Sequence, residues 1–178
     1  MSATSSAVQR QLRLIDELDL EPIAFKLVHP EPGQPGLTIE EADRLILKYR
    51  RFLKLCAMYP EQSVVPSKEI DKVWHTHILD TAKYADDCNI VFGFMLHHFP
   101  YFGLRSEADQ ALLREQGTVT RELYKQHFDA DMYDGSVENM DTSCSNAPSC
   151  TGDCSPSCAP SGSGLDSPVN ARPRLVRA

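Results

Sequence analysis

The spacing of apolar residues constrains this sequence most, because they recur at intervals of three and four. The clearest stripe lies between Thr38 and Pro60 and comprises Ala42, Leu45, Ile46, Tyr49, Phe52, Leu53 and Cys56. Such spacing puts apolar side chains on one face of a helix. Thr38 followed by Glu41 matches a capping box, which predicts where this helix begins. No segment shows sustained strand alternation, so we expect an all-α domain, a compact bundle of five to seven short helices.

Proline, glycine and capping residues predict the other boundaries. Apolar residues between Leu12 and Leu20 predict a first amphipathic helix, and the proline- and glycine-rich stretch 30–36 predicts a loop. The expected starts of the later helices are Ser67, Asp80 or Thr81, Ser106 and Thr118 or Thr120. We expect the helix that follows Asp80 to run to Gly93.

Composition changes near Gly135 and divides the chain into two parts. Residues 1–134 carry the helical pattern, whereas residues 135–178 are rich in Ser, Pro, Gly, Cys and Asp. The second part has too few large apolar residues to offset the entropy of ordering, so we expect a disordered tail. It ends in the basic stretch ARPRLVRA, with Arg172, Arg174 and Arg177. The domain carries a formal charge of −6, so this stretch is suited to dock on it.

Charge and hydropathy limit the partners. The whole chain has a formal charge of −7, which disfavours non-specific nucleic-acid binding and attachment to anionic membranes. It has no apolar run of about 18 residues, so we expect no membrane span. The amino-terminal residues lack the apolar centre of a secretory signal, which favours a cytoplasmic protein with reduced thiols. The sequence leaves the oligomeric state open.

Two histidine pairs are the main functional signal. One lies in DKVWHTHILD, residues 71–80, and the other in FMLHHFPYFG, residues 94–103. Successive helical residues rotate by about 100°, so His75 and His77 point roughly 200° apart and do not share an ion on one helix. Asp71 and His75 are four positions apart and therefore lie on the same face.

We therefore predict a site formed by Asp71, His75 and one of His97 or His98, with His77 as a further candidate ligand. Aspartate and histidine suit zinc or iron, and imidazole also suits copper. Alternatively, Asp71 accepts the ring N–H of His75 and orients it as a ligand or base. In a third interpretation these side chains only hold helices together. The sequence contains no recognised catalytic motif, so whether the protein is an enzyme stays open.

The segment VPSKEIDKVWHTHILDTAKYADDCNIVFGFMLHHFP resembles the glycine-rich domain-containing protein-like family, an uncharacterised family found in plants and bacteria. The matching elements are Pro66-Ser67, Ile70-Asp71, Trp74-His75-Thr76-His77, Thr81, Tyr84, Cys88, Phe92-Gly93, His97-His98 and Pro100. The resemblance spans most of residues 10–130 and implies a shared fold. The family has no established biochemical activity, so no catalytic role is implied. Some plant members carry RNA-binding modules, which this chain lacks, and its tail is rich in cysteine rather than glycine.

The tail carries a second functional signal, four cysteines in DTSCSNAPSCTGDCSPSC. They are Cys144, Cys150, Cys154 and Cys158. Four thiolates suit zinc or copper, although the spacing is not the paired C-x2-C of structural zinc sites. Disulfides, enzymatic modification of the peptide, or a reduced tail without a specific ligand are the alternatives.

Three functions remain open from the sequence. The first is a small cytoplasmic metal-binding protein with a histidine and aspartate site in the domain and a thiol-rich tail. The second is a non-catalytic interaction module, whose histidines are structural and whose tail recruits a protein partner. The third is a metal-dependent enzyme of unknown reaction.

Overall fold

The computed structural model describes residues 3–133, 145–146 and 171–177. The helices in these ranges are α1 (Ala3–Glu17), α2 (Glu21–Val28), α3 (Ile39–Met58), α4 (Lys68–Leu79), α5 (Thr81–Val91) and α6 (Glu107–Phe128). Two short strands, β1 (His98–Phe99) and β2 (Ser145–Asn146), pair antiparallel, with His98 opposite Asn146. Six helices in the described residues confirm the predicted all-α bundle.

Helix α3 forms the centre of the bundle, and α1, α2, α4 and α6 all pack against it. Its side chains Tyr49, Phe52 and Leu55 are completely buried. The predicted capping box is present: the Glu41 amide donates to Thr38 Oγ1 at 3.2 Å, and Thr38 N donates to the Glu41 carboxylate at 2.8 Å. Two of the amide groups exposed at the start of the helix are thereby satisfied.

The first predicted helix corresponds to α1, which ends at Glu17, and α2 follows it as a separate helix that the apolar pattern did not predict. Leu18 and Leu20 are buried in the turn between them. Pro22 lies in the first turn of α2, where its missing N–H costs nothing, whereas in the middle of a longer helix it would remove a hydrogen bond. Arg50 of α3 donates to the carbonyl oxygens of Ile15 and Leu18 and so caps the end of α1.

The expected helix boundary at Thr118 or Thr120 is wrong, because α6 runs unbroken through it. Thr118 Oγ1 donates to the Arg114 carbonyl at 3.0 Å, and Thr120 Oγ1 donates to that of Gln116 at 2.8 Å. Each hydroxyl thus bonds back along the helix instead of capping a new one. Thr120 also accepts from the Val65 amide at 3.0 Å, which ties α6 to the segment before α4.

Helices α4 and α5 share a boundary at Asp80, which ends α4 and caps α5 by accepting from Lys83 N at 3.4 Å. Ser67 caps the start of α4, as predicted, by accepting from Ile70 N at 3.3 Å. Helix α5 ends at Val91, slightly before the predicted Gly93. The chain then turns back towards α4, which places the second histidine pair beside the first.

Residues 171–177 form neither helix nor strand and lie against the helical domain. Leu175 packs against the main core, and the three arginines of the segment pair with acidic residues, as the charge pattern predicted. None of the helices in the described ranges combines the length and apolar character that crossing a membrane requires.

Candidate metal centre

Asp71, His75 and His98 converge on one point at the surface of the domain. His98 Nε2 lies 3.0 Å from Asp71 Oδ1 and 2.9 Å from His75 Nε2. His75 Nε2 lies 3.6 Å from Asp71 Oδ2. Ligand atoms around one four-coordinate zinc ion are roughly 3.3 Å apart, given zinc–ligand distances of about 2.0–2.2 Å. The three side chains therefore have the donor types and the spacing to hold one metal ion.

Helix geometry brings Asp71 and His75 together, since residues four positions apart on α4 lie above one another. His98 comes from β1 and is positioned by aromatic packing. Its ring lies edge-on to the Trp74 ring, with centroids 4.6 Å apart. Trp74 Nε1 in turn donates to the Tyr84 hydroxyl at 2.9 Å, and that hydroxyl donates to the Leu96 carbonyl. Tyr84 thus connects α4 and α5 to the segment that carries His98.

His98 Nε2 has two hydrogen-bonding neighbours but can carry at most one proton. Its Nε2 atom lies within hydrogen-bonding distance of both the Asp71 carboxylate and His75 Nε2. If His98 Nε2 is protonated, its one proton serves both acceptors only partly. If it is unprotonated, it accepts from His75 but places its lone pair against a carboxylate. A cation at the centre would satisfy all three side chains at once.

Exposure differs across the three side chains. His98 is 9% exposed and Asp71 16%, whereas His75 is 51% exposed. The two inner side chains are held by the protein, and the His75 side faces solvent. Three potential ligands with one open side also occur in zinc sites that keep a position for water or substrate, and in non-haem iron sites.

His77 lies in a separate, buried network and is not brought to the Asp71 cluster. Its Nδ1 atom is 3.0 Å from the Tyr49 hydroxyl, and its Nε2 atom is 3.0 Å from Asp87 Oδ2. Asp87 also pairs with Lys83 at 3.0 Å. Burial by itself would raise the pKa of Asp87, but hydrogen bonds from His77 and Lys83 outweigh it and hold that pKa below its usual range. Burial raises the pKa of Tyr49 well above normal.

Sequence reasoning missed the partners of His77, which come from α3 and α5. One local signal was available, because Lys83 and Asp87 are four positions apart and therefore share a helix face. Nothing in the sequence links Tyr49 to either of them. The rotation argument correctly separated His75 from His77.

The remaining predicted ligands lie elsewhere. His97 is exposed and is not among the three converging side chains. Cys144, Cys150, Cys154 and Cys158 lie outside the described residues. The other two cysteines, Cys56 and Cys88, are buried free thiols, and burial raises the pKa of both. A raised pKa disfavours the thiolate, so neither has the character of a nucleophile.

Comparison with known proteins agrees with the resemblance seen in the sequence. Residues 10–123 match the profile described as UCP032817-like. A curated relative, glycine-rich domain-containing protein 1 of Arabidopsis thaliana, is 37% identical over 57 residues, which is 30% of this chain and 7% of the relative. The matched segment therefore represents a small part of that protein. No solved structure matches the chain.

Proposed function

The chain belongs to the UCP032817-like family, and we propose that its helical domain is a mononuclear metal-binding module with Asp71, His75 and His98 as ligands. One observation carries the proposal: a carboxylate oxygen and two imidazole Nε2 atoms from separate segments converge within 4.8 Å. All three residues lie inside the region that matches the family.

The donor set favours zinc or ferrous iron. Two neutral imidazoles and one carboxylate carry a single negative charge, which suits a divalent cation better than a monovalent one. Copper is the remaining candidate, because imidazole binds it well. Calcium and magnesium are disfavoured because they prefer sets made up of oxygen ligands.

The proposal is tested by elemental analysis of the full-length protein, prepared without an affinity tag and reconstituted separately with zinc, ferrous iron and copper. All four tail cysteines, Cys144, Cys150, Cys154 and Cys158, are first changed to serine so that any metal measured belongs to the domain. In this background we expect about one ion per chain, and we expect H98A to lose it.

His97→Ala is the matched control, because it removes an adjacent histidine that is not in the cluster. It should keep the ion. Equal metal content in the H97A and H98A variants, or no metal in the four-serine background with any of the three ions, would overturn the proposal. Metal that appears only when the cysteines are present would assign binding to the tail thiols.

Metal-dependent catalysis is an extension of the same proposal. The exposed side of the cluster at His75 gives room for a water or substrate ligand, which hydrolytic or redox chemistry requires. We also place the protein in the cytoplasm, because the buried free thiols Cys56 and Cys88 suit a reducing compartment. Fractionation of cells that express the untagged chain tests this placement.

A further inference from the structure

The C-terminal strap, residues 171–177, docks through three arginines on four carboxylates that are distant in sequence. Arg172 binds Asp80 in bidentate fashion, with N–O distances of 2.6 and 2.8 Å. Arg174 binds both carboxylate oxygens of Asp19, at 2.8 Å from Nη1 to Oδ1. Arg177 binds Asp43, at 2.8 Å from Nη2 to Oδ1, and Glu21 at 3.1 Å. We call Asp19, Glu21, Asp43 and Asp80 the acidic groove.

An apolar anchor and a backbone contact fix the position of the strap. Leu175 packs against the main core, and its amide lies 3.3 Å from Glu21 Oε1, to which it donates. The next residue, Val176, is 89% exposed and points away from the domain. Arg172 and Pro173 also form one wall of a cavity of about 400 Å³ between α2 and the end of α4.

The contacts follow a pattern along the strap. Two arginines two residues apart, Arg172 and Arg174, are followed by Leu175 and then by Arg177, two residues further on. Bidentate pairing at Asp80, Asp19 and Asp43 uses the planar guanidinium, which lysine does not reproduce. The four carboxylates come from α2, α3 and the turns that follow α1 and α4, so the folded domain assembles the groove.

The strap is held by contacts that are weak enough for another peptide segment to replace it. The side chains of its three arginines are between 28% and 58% exposed. Ion pairs at such exposure contribute little individually and are weakened by salt. Only Leu175 inserts towards the core, and it is partly buried. A second segment with the same pattern can therefore compete with the strap.

We propose that the acidic groove is a recognition site for an Arg-x-Arg-Leu-x-Arg segment of a partner protein, and that the strap occupies this site in the same chain. The strap then competes with the partner segment for the same site, and so raises the partner concentration that binding requires. This inference is independent of the metal site, because neither the groove nor the strap contains a residue of the Asp71 cluster.

The experiment measures binding of a fluorescent peptide, NARPRLVRA, to full-length protein by polarisation. The receptor with an open groove is the full-length variant R172Q/R174Q/R177Q. We expect it to bind the peptide at least about tenfold more tightly than the wild type does, since a tethered occupant competes at every encounter. Adding D19N and D80N to the open receptor should abolish this gain.

A control peptide and a second receptor make the test decisive. A peptide with lysine in place of each arginine should bind the open receptor several-fold more weakly, whereas equal binding would reduce the groove to a non-specific acidic surface. Absence of peptide binding to the open receptor, or equal binding by open receptor and wild type, would overturn the proposal. The double variant R174Q/R177Q, which keeps Arg172 on Asp80, serves as a second receptor if the triple variant is unstable.

Measuring the oligomeric state distinguishes a strap that docks on its own chain from a strap that docks on a second copy. Light scattering after size exclusion should show a wild-type monomer. A wild-type dimer that dissociates in R172Q/R174Q/R177Q would mean that the strap docks on a second copy, which would overturn the proposed occupancy within the same chain.

Discussion

The Nε2 atoms of His75 and His98 lie 2.9 Å apart, although the two residues are separated by 23 positions in the sequence. His98 Nε2 also contacts the Asp71 carboxylate, so three potential ligands share one small volume. Such an arrangement separates the roles of neighbouring histidines. His75 and His98 belong to the candidate metal centre, whereas His77 is part of the core and His97 is exposed.

His75→Ala should abolish metal binding and hardly change stability, whereas His77→Ala should lower stability and leave metal binding intact. His75 is half exposed, so we expect its removal to change the free energy of unfolding by less than about 0.5 kcal/mol and to abolish metal binding. Loss of His77 leaves the buried Tyr49 hydroxyl without its contact and should cost roughly 2–4 kcal/mol. Urea denaturation and elemental analysis of both variants check this prediction. Loss of metal from folded His77→Ala protein would contradict it.

Tyr84→Phe should weaken metal binding without removing a ligand. The hydroxyl accepts from Trp74 Nε1 and donates to the Leu96 carbonyl, so its loss loosens the segment that carries His98. We expect a loss of about 1–3 kcal/mol in stability and a higher Kd for zinc at temperatures where the variant is folded. Calorimetric titration with zinc measures the second effect. Tyr101→Phe, at an exposed tyrosine, is the control and should change neither quantity.

Gly103→Ala should destabilise the domain more than Gly33→Ala does. Both glycines have positive φ, 86° and 90°, so either substitution strains the backbone. A Cβ at Gly103 would also lie 2.5 Å from Leu113 Cδ2, whereas one at Gly33 meets nothing within 4 Å. We expect about 1 kcal/mol for Gly33→Ala and roughly 2–3 kcal/mol for Gly103→Ala. Thermal unfolding compares them, and equal losses would show that Leu113 moves aside.

Docking of the strap should be insensitive to pH near neutrality and should fail in acid. The hydrogen bond from Arg172 lowers the pKa of Asp80, and that from Arg177 lowers the pKa of Asp43. A lowered pKa means that each carboxylate supports docking above its free pKa, and the support is lost as the pH falls through the docked pKa. Docking should therefore persist from pH 7 to about pH 5 and weaken below about pH 4.

Hydrogen exchange of the strap amides at several pH values measures this. The Leu175 amide, which donates to Glu21, is the most informative probe. D80N should loosen the strap at pH 7 and flatten the acid response. A response centred near pH 6 instead would point to a histidine and contradict the assignment to carboxylates.

Local sequence signals predicted local features well. The capping box at Thr38 and Glu41 and the caps at Ser67 and Asp80 follow from side chains within four residues of the amides they serve. The same short range placed Asp71 and His75 on one face. These features depend on helix geometry alone, which the sequence determines directly.

Features that depend on tertiary contacts were harder to predict from the sequence. The choice between His97 and His98 depends on how the chain returns from α5, which the Tyr84 contact to Leu96 determines. Likewise, Thr120 looked like a cap because its bond to Val65, distant in sequence, was not visible. Charge was an exception, since the opposite signs of domain and strap predicted an association across more than half of the chain.

The chain is anchored on both sides of residues 134–170, by buried Tyr133 on one side and by the docked strap on the other. Within an intact chain this connection keeps the strap at a high effective concentration beside its groove. One proteolytic cut between β2 and the strap, in residues 147–170, would end that advantage, because the strap would become a separate peptide that dilution removes. Cleavage would then switch the groove permanently to the open form, without any change in the groove itself.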